Sequence, residues 1–204
     1  MINVKLTGSF RLYVIDRHTK KIIQDTGFQK NLIVETGKEF ILDEIFDNGK
    51  WNSGIGIQSM AVGDSTDTNA GVLGPNAGRD VVIGGAWNGV SEDDWRLSSE
   101  TARSIIISVA RVDQSIVAIA QFLDGQFSEP SPIKIREVGI FLHETDQPVA
   151  NPQDNPAEKP KAMVARRVYF GYDDEDAPTK YVDRPYYKVK DGNPLLMEYK
   201  LELL

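Results

Sequence analysis

The run "RSIIISVARVDQSIVAIAQFL", residues 103–123, limits this chain more than any other part of it. Ile105, Ile107 and Val109 alternate with Ile106, Ser108 and Ala110, and beyond Asp113-Gln114 the residues Val117, Ile119 and Gln121 alternate with Ile116, Ala118, Ala120 and Phe122. A period of two is that of a strand, whose successive side chains point to opposite faces. Both faces here are largely apolar, so the pattern predicts central strands covered on each side. A second sheet on one side and a helix or a neighbouring subunit on the other would cover them. A hairpin buried within the chain would do so without a partner.

The rest of the chain adds more strands and one change of period. Residues 2–15 and a short run from Ile22 to about Gly27 read as a hairpin, with His18 in the polar turn 16–21. Thr36 and Glu39 have the spacing of a capping box, and Phe40, Ile41, Ile45 and Phe46 follow a helical face, so a helix is predicted over 36–46 and ended by Asn48-Gly49. Residues 56–62 alternate again, with Ile57, Ser59 and Ala61 on one side, until Gly63-Asp64 breaks the strand. In "KIREVGIFLHE", residues 134–144, Ile135, Glu137, Gly139 and Phe141 share a face. A glycine inside a strand marks a bulge or a close neighbour, here a bulky residue across the sheet or the helix. Glu137 lies beside that gap, and Arg166 or Arg167 can pair with it if 162–171 runs alongside. The last strand, 195–204, has one buried face.

These readings predict a mainly β protein: an antiparallel β-sandwich with one packed α-helix and long loop insertions, a single domain over 1–204. Residues 67–100 and the proline-rich 145–161 are the insertions. Trp87 and Trp95, with Val72 and Leu73, stand in the first and are the candidate interface residues. The tryptophans also suit a local side core or stacking on a ligand.

Composition narrows the function. A net charge of -7 with no long Lys/Arg run argues against a nucleic-acid partner. No cysteine is present, which removes disulfides, thiolate zinc sites and thiol nucleophiles. Lys5 and Arg11 interrupt any signal-peptide core, and no apolar run is long enough to span a bilayer as a helix. With two histidines and no G-x-S-x-G, phosphate-binding or H-E-x-x-H motif, no enzyme, cofactor or metal site is expected. The acidic runs 173–176 and 92–94 lack the spacing of a calcium loop and read as solvated turns.

The order of the segments carries a resemblance. "FQKNLIVETGKEFILDEIF" precedes "IQSMAVGDST", the apolar strand pair, "IKIREVGIF", "AMVARRVYF" and "LLMEYKLEL". This succession resembles a family of structural proteins from tailed bacteriophages, found among tail, baseplate and fibre-associated components. The motif positions are Asn31, Leu32, Gly37, Ala61 to Thr66 with Gly63 among them, Ile135, Glu137, Gly139, Phe141, Ala165, Arg166 and the terminal strand. The stretches 67–100, 145–161 and 172–194 are expansions of the pattern. The resemblance implies a non-enzymatic virion protein, made in the host cytoplasm and joining tail parts as a homo-oligomer, in a ring or a trimer, among other phage tail proteins. The rival reading is a host-surface carbohydrate-binding domain in which Trp87 and Trp95 stack on sugar.

Overall fold

Asp113 turns the chain between the two apolar runs with a φ of 54°, a left-handed conformation that aspartate tolerates and tight hairpins require. In the computed structural model, which describes residues 6–33, 37–38, 40–41, 55–64, 97, 100–127, 129–144, 162–172 and 181–203, strands dominate. They are β1 (Leu6–Ile15), β2 (Ile22–Asp25), β3 (Gln29–Lys30), β4 (Leu32–Ile33), β5 (Ile55–Gly63), β6 (Glu100–Val112) and β7 (Ser115–Phe122). There follow β8 (Ile133–Ile135), β9 (Glu137–Glu144), β10 (Ala162–Val168), β11 (Phe170–Tyr172), β12 (Tyr181–Asp183), β13 (Tyr186–Lys188) and β14 (Leu195–Leu203).

Ten strands form one sheet in the order β2-β1-β14-β7-β6-β5-β9-β10-β4, with β3 also beside β1. The ladders are antiparallel, and two small ones, β11-β12 and β8-β13, stand apart. This overturns the predicted sandwich of two separate sheets. Strand β6 is 13 residues long and serves both halves. Its first part, from Glu100 to Ile105, pairs with β5, and its second, from Ile106 to Val112, pairs with β7. The two halves meet again at residues 29–33, where β3 pairs with β1 and β4 with β10. Arg167 reinforces that seam by donating to the Lys30 carbonyl. One sheet thus curls back towards its own first strand.

The packed α-helix is corrected too. No α-helix is delimited among the described residues, and the one helical element with bounds there is a 3-10 turn at Asp124–Gln126. Of the predicted 36–46, only Gly37, Lys38, Phe40 and Ile41 are described; their backbone is helical, and Phe40 joins the core. The remaining positions lie outside the described residues. No helix among the described residues is long and apolar enough to cross a membrane.

Phe10, Leu12, Met60, Val62, Phe122, Ile140 and Met197 are fully buried inside the curl. Strand β14 buries Leu195, Met197 and Tyr199 and leaves the intervening residues partly exposed, as its alternation predicts. The far end of the β6-β7 hairpin does not follow its pattern. Ile105, Ile107, Val109, Val112 and Ile116 are 47–63% exposed, so the chain does not cover both faces of this hairpin.

Candidate functional site

Gly139 shows how the sequence builds a second buried layer on the face of the sheet away from the main core. Val138, Ile140 and Leu142 of β9 enter the main core, whereas Phe141 joins Ala61, Leu97 and Met163 in a smaller cluster. A Cβ on Gly139 would lie 3.0 Å from Leu97 Cδ2 and 3.0 Å from Phe141 Cε2. The close neighbour is therefore a leucine from the segment before β6, together with the ring two residues along the same strand. Among the described residues it is neither the predicted helix nor a residue across the sheet.

Charge is concentrated in this layer. Strand β10 runs beside β9 with Arg166 opposite Gly139, and Arg166 forms an ion pair with Glu137, which is 0% exposed. Arg103, on β6 opposite Ala61, makes a two-pronged pair with Glu100: Nε to Oε1 at 2.8 Å and Nη2 to Oε2 at 2.5 Å. Its third nitrogen, Nη1, donates to Ser59 Oγ at 3.0 Å, and the guanidinium lies 4.0 Å from the centre of the Phe141 ring. Ser59 Oγ is in turn 2.6 Å from His143 Nε2. Arginine only donates, so the serine oxygen accepts from Arg103, and the direction of its bond with the imidazole is set by the ring's tautomer. Burial, and then the positive charge of Arg103, push the His143 pKa down to about 4.

A serine beside a histidine invites a nucleophilic reading, but this geometry describes a brace. Ser59 is 0% exposed and His143 3%, and the serine oxygen is already held by a guanidinium. The arrangement ties β5, β6 and β9 together through side chains. Sequence reading passed over it. Arg103 carried the available signal, since a charged residue on a strand expected to be covered must bring a partner with it.

The other motif positions lie at close backbone approaches and strand ends. Asn31 stands between β3 and β4, donates its backbone amide to the Gly8 carbonyl at 3.2 Å, and lays its side chain over Gly8 close to Tyr199. Gly37 sits so tightly on the Val164 backbone that a side chain there would meet the Val164 carbonyl. Gly63 ends β5, and its carbonyl accepts from the Arg136 amide at 2.8 Å. The neighbouring Asp64 pairs with Arg136, which also holds Asp183 at 2.9 Å. Glu137, Gly139, Phe141 and Arg166 meet in the second layer, while Asn31 and Gly37 serve the seam near β4 and β10. Trp87, Trp95, Val72 and Leu73 lie outside the described residues, as do the acidic runs 92–94 and 173–176. Among the described residues, no group of three or more His, Cys, Asp or Glu side chains is placed to hold a metal.

No family model, no curated protein and no solved structure matches this chain.

Proposed function

We propose that the chain is a non-enzymatic structural protein of a tailed-phage virion, a tail adaptor, baseplate or fibre-attachment component that joins tail parts. The observation that carries this reading is the use made of the motif residues. Glu137, Gly139, Phe141 and Arg166 lie in a buried brace, Gly63 and Asp64 in a cross-strand clamp, and Asn31 and Gly37 at tight backbone approaches. Residues spent on holding a frame support a scaffold whose specificity resides in its insertions. In this reading the stretches 67–100 and 145–161 dock onto other tail proteins, with Trp87 and Trp95 as anchors and Val72 and Leu73 beside them. Weak single contacts suffice, because a ring or trimer repeats them.

Deleting residues 70–98 and measuring incorporation into tails tests the proposal. The folded, shortened chain is expected to be left out. Incorporation at the parental level would overturn docking through this stretch. Binding to a sugar array that disappears in W87A would favour a host-surface carbohydrate-binding domain instead.

A further inference from the structure

We propose that the open side of β6, over residues 106–112, pairs strand to strand with the same segment of a second copy of this chain. This deepens the assembly reading and rests on it only for the class of partner.

Strand β7 occupies one side of this segment, while β5 reaches only as far as Ile105 on the other. Among the described residues nothing pairs with 106–112 on the β5 side. Backbone amides and carbonyls along such an edge are a template for another extended chain.

The side chains point the same way. Val109 lies opposite Ala118 and Arg111 opposite Ile116, whereas Ser108 and Ala110 lie opposite Ile119 and Val117. Exposed apolar groups thus flank the edge on both faces. Val109, at 63% exposure, stands on one, and Val112, at 54%, on the other. A ligand lying on a single face would leave half of them in water, while a strand added at the edge covers both.

Charge selects a second copy as that strand. With a net charge of -7, two copies repel each other over most surfaces. Residues 104–112 contain no carboxylate and one cation, Arg111. An antiparallel pairing centred on Ser108 spans residues 106–110, stops short of the stretch that β5 already occupies, and sets Ile107 opposite Val109 in both directions.

Sedimentation equilibrium on the full chain tests this against the 22.7 kDa monomer mass. A dimer is expected, with V109K weakening it at least tenfold while its melting temperature equals the parental value at concentrations where both chains are monomeric. S108C is expected to give a disulfide-linked dimer on mild oxidation, and the absence of any native cysteine makes that product unambiguous. A parent chain that stays monomeric up to about 100 μM, a concentration at which micromolar affinities are visible, would overturn the proposal. So would a dimer that V109K leaves intact and S108C fails to trap. The chain lacking 70–98 separates this idea from docking through the insertion. It is expected to dimerise as the parent does, and loss of the dimer in that chain alone would place self-association in the insertion and overturn the role of β6.

Discussion

At Gly139 two tendencies oppose each other. Valine favours strands by up to about 1 kcal/mol over poor formers. Its side chain would have to displace Leu97 and the Phe141 ring, both almost fully buried, and overpacking of this kind costs about 1–3 kcal/mol. G139V is therefore expected to lower the urea midpoint, and a midpoint at or above the parental one would refute the close-approach account. His143 gives a prediction in pH. Its native pKa is depressed to about 4, so between about pH 6.5 and 4 the unfolded chain takes up a proton that the native site refuses. Stability contributed here falls as pH drops through that window, by about 3 kcal/mol at most, and levels off below it. H143Q should flatten this part of the curve. Urea midpoints of both proteins from pH 4 to 7 check it, and parallel curves would show that another group titrates.

Among the elements, the pairing of β9 with β10 is held by a buried charge pair. Removing one partner of such a pair leaves the other uncompensated, at a cost of about 3–5 kcal/mol. E137A is expected to lose that much in denaturant unfolding, and the double change E137L/R166L much less. Equal losses would mean that packing, and not charge, dominates the site. The strands themselves were legible from period two, as β14 and the β6-β7 hairpin show. Their faces were less so. An irregularity between Ile57 and Ser59 sends Ile57 to the main core while Ser59 stays in the second layer. A break at Arg136 separates Ile135, in the main core, from Glu137 on the same nominal face. One extra residue reverses every later side chain, and nothing local in the sequence announces it. The Arg166 partner could be read because opposite charges on neighbouring strands suggest each other. The Arg103, Ser59 and His143 brace could not, since its members lie 44 and 84 residues apart.

For the whole molecule, the path of the sheet decides what the sequence could convey. Separate apolar runs predict layers, but whether two layers are independent or one sheet bent round depends on how a long strand divides its partners. Strand β6 divides them at Ile105 and Ile106, and 29–33 does so at Asn31, so the curl follows from two crossings that alternation does not encode. N31A should loosen the seam. Hydrogen exchange is expected to speed up in β4 and β10 while β7 and β14 keep their protection. Uniform acceleration would instead show that Asn31 supports global stability.

The place of β14, between β1 and β7, has a consequence for how the molecule is made. Tyr13 and Glu198, joined side chain to side chain across that ladder, are 185 residues apart. A ribosome delivers the chain from its amino end, so β1 emerges long before its central neighbour exists. The inner half of the sheet must wait for it with apolar strands exposed, a state open to aggregation and to slow, high-contact-order folding. Completion of the sheet is thereby tied to completion of these strands in synthesis, and a nascent chain stalled before residue 195 would lack the strand that joins β1 to β7.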